Sequence, residues 1–295
     1  MENSNNQNND LSKRVCAVVV TYHPDNEFKQ RFLRIKNQVD AAVIVDNKSS
    51  EEELDMLRAI ADELSDCFII ENDENKGIAT ALNQGVRFAK EKGFEWVLLF
   101  DQDTVVEPFL TESLFEVYDA FLQKDKIAVI GSNYIDTYTH KNVYGDENEK
   151  VLWIEKKTII TSGSLMPVGI FEKVGYFRDK FFIDHVDDEF CLRAKHKGYK
   201  VILAMREVMQ HSLGASTMHR LLWRQTGTSN HSAFRRYYMT RNHVILVKEY
   251  FTREPAWVFN TVFSRFKSMI LMCLYEKQRV TKFKAILKGL KDAVF

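Results

Sequence analysis

Between residues 15 and 100 one pattern repeats four times: a short apolar run free of charge, then polar residues, then a stretch with helical spacing. The runs are 15–20 (VCAVVV), 41–45 (AAVIV), 67–70 (CFII) and 96–100 (WVLLF), separated by helix-like segments over 26–37, 51–64 and 78–92. Runs this short, apolar and rich in β-branched residues fit strands buried on both faces. Alternating with helices, they predict an α/β fold with right-handed crossovers and a parallel sheet whose strands finish on one edge. Open α/β sheets hold ligands at that edge. Here it carries Thr21 and Tyr22, Asp46 and Asn47, residues 72–76, and residues 101–103.

The last of these clusters is the sharpest. Phe100 runs into Asp101-Gln102-Asp103-Thr104, and in extended chain two carboxylates two residues apart point the same way. Like charges on one side are costly unless a cation lies between them, and a hard divalent ion bridging to a phosphate would supply it. The other reading is that one Asp caps the helix opened by Pro108 and the other is solvated. Asn75-Lys76-Gly77 precedes the third helix, where backbone N–H groups and the Lys76 charge face an anion, or where the glycine merely permits a turn. Gly85, inside that helix, costs about 1 kcal/mol against alanine and points to close approach by a neighbouring element or a ligand. No G-x-G-x-x-G or P-loop pattern is present.

Composition narrows the classes. With 41 basic and 41 acidic residues the formal net charge is zero, so no overall field favours nucleic acid. Cys16, Cys67, Cys191 and Cys273 lie far apart without C-x-x-C spacing and read as reduced thiols of a cytosolic protein, not as disulfides or a zinc site. The polar, Asn-rich start suits a disordered tail and neither a signal peptide nor an anchor, and no stretch of about 18 uncharged apolar residues occurs to span a bilayer.

Farther along, the pattern predicts a helix over 107–122, a strand at 127–131, an irregular excursion over 133–155, a short helix opened by Pro167, and a last strand at 201–204. Residues 161–165 gather hydroxyls around Gly163. Asp184, Asp187, Asp188 and Glu189 then crowd the start of a helix, where acids suit the macrodipole. Among Phe181, Phe182 and Phe190, partial burial would instead lift one of them toward the pKa of a general base. His211 is either structural or completes an ion's shell beside the D-x-D. From 231 the pattern turns helical, with Tyr237 and Arg241 on one face. Apolar positions such as Val258, Val262, Phe266 and Met269 are followed by Lys277, Arg279, Lys282, Lys284, Lys288 and Lys291. Such a basic amphipathic end lies on an anionic membrane, or packs on the sheet domain or a second subunit.

In this order, Val20-Thr21-Tyr22, Val45-Asp46-Asn47, Asn75-Lys76-Gly77-Ile78-Ala79, Phe100-Asp101-Gln102-Asp103-Thr104, Thr161-Ser162-Gly163-Ser164, Val186-Asp187-Asp188-Glu189-Phe190-Cys191-Leu192-Arg193 and His211-Ser212-Leu213-Gly214 resemble the signatures of family 2 glycosyltransferases. These are inverting enzymes of the GT-A fold, a Rossmann-like, mostly parallel sheet flanked by helices. The Asp-Gln-Asp-Thr form, with Tyr237-Tyr238 and Arg241-Asn242, is most similar to bacterial rhamnosyltransferases that use dTDP-L-rhamnose to build O-antigen and related polysaccharides. The resemblance covers residues 15–245. It implies a tail over 1–13, a GT-A domain over 14–230 and a C-terminal helical region over 231–295. It gives Thr21, Tyr22, Asp46, Asn75, Lys76, Asn83, Asp101, Gln102 and Arg241 to the donor nucleotide, Asp103 and His211 to Mg²⁺ or Mn²⁺, and Asp187 to the catalytic base. Ser162, Gly163, Asp188 and Glu189 fall to the acceptor or sugar pocket. The implied partners are a nucleotide-sugar donor, a lipid-linked glycan acceptor and an anionic membrane met from the cytoplasmic side. Two rivals stay open: a different donor, such as a UDP-hexose or UDP-galactofuranose, and a non-catalytic scaffold of the same fold.

Overall fold

The computed structural model describes residues 13–137, 141–144, 151–211, 217–221 and 224–294. Its first part is the predicted alternation: β1 (Val15–Thr21), α1 (Phe28–Lys36), β2 (Ala41–Asp46), α2 (Glu51–Glu63), β3 (Cys67–Glu71), α3 (Ile78–Glu91) and β4 (Trp96–Asp101). These strands pair in parallel in the order β3-β2-β1-β4. Alternation sends Cys16, Val18 and Val20 into the core layer shared with α3, and Val15, Ala17 and Val19 into the layer shared with α1 and α2. Every residue of β1 and β2 is buried, which is why neither run tolerates a charge before its end. The close approach at Gly85 is to a strand: a Cβ there would stand 2.2 Å from Val18 Cγ1.

Beyond β4 the sheet becomes mixed. There follow β5 (Val105–Val106), α4 (Leu110–Ala120), β6 (Ile127–Asp136), β7 (Lys141–Asn142), β8 (Trp153–Glu155), β9 (Ser164–Pro167), α5 (Ile170–Val174), α6 (Val186–His196) and β10 (Lys200–His211). The order continues β4-β9-β6-β10-β5, with β9 antiparallel to both β4 and β6. Three local expectations are corrected here. The stretch 133–155 is not wholly irregular, since it carries the end of β6 and all of β7 and β8; Pro167 closes a strand; and the strand expected at 201–204 runs from Lys200 to His211 and is not the last, since a hairpin follows it. Polar residues hid the second half of β6, beyond the expected 127–131. Ser132 and Asn133 are buried with their needs met inside, Ser132 Oγ donating to Asn133 O at 2.8 Å and Asn133 Nδ2 to Met205 O at 3.2 Å.

A hairpin of β11 (Thr217–Leu221) and β12 (Arg224–Thr228) leads to helices α7 (Ala233–Tyr250), α8 (Pro255–Tyr275) and α9 (Arg279–Val294). Helices α7 and α9 pack so closely that a Cβ at Gly289 would meet Tyr237 O at 2.6 Å. A buried ionic cluster ties all three together: Glu276 accepts from Arg236 at 2.6 Å and from Lys282 at 2.8 Å. No described helix is long and apolar enough to cross a membrane.

Candidate active site

Strand register builds the rim of the site. Thr21 pairs with Asp46, Asp46 with Glu71 and Val20 with Asp101, so β1 to β4 end together. Asp46 is fully buried, its carboxylate accepting from Thr21 Oγ1 (2.8 Å), Ser49 N (2.8 Å) and Ser49 Oγ (2.5 Å). Thr21 and Asp46 thus form the floor, while the Tyr22 side chain, 48% exposed, stands at the mouth. Gln102 bridges two strand ends by accepting the Tyr22 N–H at 2.7 Å and donating to Tyr22 O at 3.1 Å. Its own carbonyl accepts from Arg31 Nε of α1 at 2.9 Å. Behind the turn, Ser162 Oγ accepts the Asp101 N–H at 3.2 Å and shares a hydrogen bond with Thr104 Oγ1 at 2.6 Å. The Gly163 N–H donates to Leu99 O at 2.8 Å. Ser162 is buried, so it and Gly163 hold the D-x-D turn from beneath instead of lining a sugar pocket.

At the neighbouring strand end, Asn75 Oδ1 accepts the Gly77 N–H at 2.9 Å and Lys76 pairs with Asp73 at 3.1 Å. Gly77 has φ +82°, and a Cβ there would lie 2.6 Å from the Phe182 ring. The Phe182 carbonyl accepts the Ile78 N–H at 2.7 Å. The N-terminal turn of α3 is therefore in contact with the segment that leads into the acidic cluster. Asn83 sits elsewhere. Fully buried, it donates to Phe177 O and Asp179 Oδ1, both at 2.8 Å, and accepts the Phe177 N–H at 3.0 Å. Its expected place at the nucleotide is corrected to a joint between α3 and residues 177–179.

The acidic segment is strained and clamped. Phe182 (φ +54°), Asp184 (+64°) and His185 (+62°) adopt left-handed backbone, which costs about 1–3 kcal/mol per residue and persists only where the surroundings impose it. Helix α7 imposes it. Asn242 Nδ2 donates to the carbonyls of Phe181 (2.7 Å), Ile183 (2.9 Å) and Asp184 (2.9 Å), and Arg235 grips the Asp184 carboxylate at 3.0 and 3.1 Å. Arg241, expected at the donor, donates to Lys180 O and to Asn242 Oδ1 (2.9 Å), so in this structure it supports the same clamp. Sequence reasoning missed Arg235 and Asn242. Their seven-residue spacing on one helix face was the available signal.

Within the cluster the carboxylates part company. Glu189 is fully buried and bound by Arg193 (2.8 and 2.9 Å) and Arg178 (2.8 Å), which corrects its expected acceptor role to an anchor of α6. Asp188 accepts from His185 Nδ1 at 2.8 Å. Although burial opposes its charge, hydrogen bonds from His185 and Thr158 and the Arg265 charge hold its carboxyl below the usual range. Asp187 lines a small cleft with Ile160, Phe177 and Phe190, and its Oδ1 accepts the Asp188 N–H at 2.8 Å. Burial first, then the Asp188 charge, with Asp184 and Asp101 adding, pushes its carboxyl up to about 8. The Asp101 effect puts the acidic cluster and the end of β4 in one electrostatic neighbourhood. Opposed shifts of this kind separate a proton acceptor from a fixed charge.

Asp101 and Asp103 offer hard carboxylate oxygens for a divalent cation. Among the described residues no group of three or more His, Cys, Asp or Glu gathers at one point. The His211 backbone ends β10 opposite Asp136, but its side chain lies outside the described residues.

Sheet topology and helical cover together define a GT-A fold. GalNAc-T7, crystallised with UDP, GalNAc and Mn²⁺, superposes with a TM-score of 0.60 at 12% identity over 95% of this chain, which spans 56% of that one. The mannosyltransferase PcManGT from Pyrobaculum calidifontis, in complex with GDP-Man and Mn²⁺, gives 0.56 at 13% identity over 96% and 87% of the two chains. Residues 16–181 match Glycosyl transferase family 2, and the chain belongs to that family. It is similar to the dTDP-rhamnosyl transferase RfbF of Shigella flexneri, with 28% identity over 244 residues, 78% of this chain and 79% of the relative. The low-salt glycan biosynthesis hexosyltransferase Agl10 of Haloferax volcanii is 24% identical over 205 residues, 63% of each chain.

Proposed function

We propose that this glycosyltransferase moves L-rhamnose from dTDP-L-rhamnose, with inversion, onto a lipid-linked glycan during bacterial surface polysaccharide synthesis. One observation carries the chemistry: Asp187 stands in the first turn of the helix that follows directly on the Phe182 segment, and that segment packs on the N-terminal turn of α3 at the strand-end rim. Likeness to RfbF supports the choice of sugar. Inverting transfer is a displacement at the anomeric carbon, and it needs one base for the acceptor hydroxyl. Asp187 takes that proton. Tyr22 at the mouth, with Asn75 and Lys76 at the N-terminus of α3, bind the nucleotide and its phosphates. Asp103, with Asp101 beside it and His211 as a further ligand, would hold Mg²⁺ or Mn²⁺, which when bound offsets charge on the departing diphosphate. The protein works on the cytoplasmic face of the membrane, resting on its exposed C-terminal helices.

Calorimetry with dTDP and Mn²⁺ tests the donor half. Wild-type protein is expected to bind dTDP more tightly with Mn²⁺ than without it, and Asp103→Ala to lose that difference. Equal affinity in the variant would remove Asp103 from the metal site, and tighter binding of UDP-hexoses than of dTDP-L-rhamnose would replace the sugar.

A further inference from the structure

Behind the proposed base, three side chains form a continuous hydrogen-bonded line that the transfer step does not itself use. Arg265, midway along α8, approaches His185 Nε2 to 3.0 Å, and Nδ1 of the same ring meets Asp188 Oδ2 at 2.8 Å. Arginine can only donate, so Nε2 is the acceptor and the ring proton sits on Nδ1, directed at Asp188. The ring is buried and stacks on His243 of α7 at 5.4 Å between centroids. We propose that Arg265 and His185 are positioning residues that fix Asp188 as a permanent anion beside Asp187, leaving Asp187 alone to take the acceptor's proton. This rests on the reading of Asp187 as the base.

Two adjacent half-buried carboxyls would otherwise share a proton, and neither would be committed to the chemistry. The line settles which one holds it. Asp188 faces His185, Thr158 and, from α8, the Arg265 charge. Asp187 faces the charges of Asp188, Asp184 and, from β4, Asp101, and it in turn acts on Tyr134 of β6, Tyr144 and Cys191. The Asp184 charge is met by Arg235 of α7. The left-handed backbone at His185 has a purpose in this arrangement, since it delivers the ring into the gap between α6 and α8.

Two measurements on the full chain test the proposal. The first is the pH dependence of kcat/KM. In the wild type the rate rises with pH as Asp187 loses its proton. Removing the neighbouring negative charge in Asp188→Asn lowers the Asp187 pKa, so the rising limb moves to lower pH by about one unit or more. Arg265→Met shifts it the same way by less, because Asp188 loses one of the groups that keep it an anion beside Asp187. The second is the ¹⁵N spectrum of His185 in the wild-type protein, expected to show the Nδ1–H tautomer. A limb that stays in place in both variants while the rate falls equally at every pH, or an Nε2–H tautomer, would overturn the proposal. Transfer retained by Asp187→Asn would instead remove the base assignment, and the tautomer result would be unaffected by it.

Discussion

Asn242 accepts from Arg241, and its one amide nitrogen serves three carbonyls of the segment that carries the acids. Truncation to alanine leaves those carbonyls without their donor, at about 1–3 kcal/mol for a buried unsatisfied group. It also frees three left-handed residues to relax. Asn242→Ala is therefore expected to lower the urea midpoint and to cost kcat more than dTDP affinity, because Thr21, Asp46 and Gln102 at the strand ends are held by bonds that do not involve α7. An unchanged midpoint would show that the carbonyls find other donors. At this scale the sequence was legible in part. The acids at 184–189 stood out among phenylalanines, but it was the family resemblance that singled out Asp187. Asn83 and Glu189 looked equally functional, but their partners, Phe177, Asp179, Arg178 and Arg193, come together only when the chain folds.

Elements differ in how much of themselves they show in sequence. Strands β1 to β4 were plain because two covered faces demand unbroken apolar runs. The second half of β6 and all of β9 were obscured by serine, asparagine and proline, which the mixed half of the sheet accepts where side chains or strand ends satisfy them. Helices α8 and α9 keep their ambiguity in the folded chain. Phe259 (73%) and Phe263 (64%) stay exposed on α8, and Lys284, Lys288 and Lys291 are exposed on α9. The one acid of α9, Asp292, accepts a hydrogen bond from Tyr237. A second copy docked by two-fold symmetry would set like charges against each other, whereas anionic lipid complements them at about 1 kcal/mol per basic residue. Sedimentation with phosphatidylglycerol vesicles is expected to carry the protein down at low salt. Lys284→Glu with Lys288→Glu, or raised salt, should release it. Binding indifferent to both would point to a protein partner for this face.

Taken whole, the molecule sets the N-terminal turn of α3, beside the strand-end rim, against the segment that leads into the acidic helix start, and α7 holds that segment in place. The rim is built locally, each polar residue following its own strand, and so it could be read from the order of motifs. The clamp is built from α7 and α8, far along the chain, and no local pattern announces it. The family relationship and the GT-A fold agree with this division, since the family match spans the rim but ends at residue 181, before the acids. Whether those acids supply the base is decided most directly by Asp187→Asn. Transfer from dTDP-L-rhamnose to a lipid-linked acceptor is expected to fall by about 10²–10⁴-fold, with calorimetric affinity for dTDP unchanged in the same preparation. Transfer at the wild-type rate would contradict the assignment.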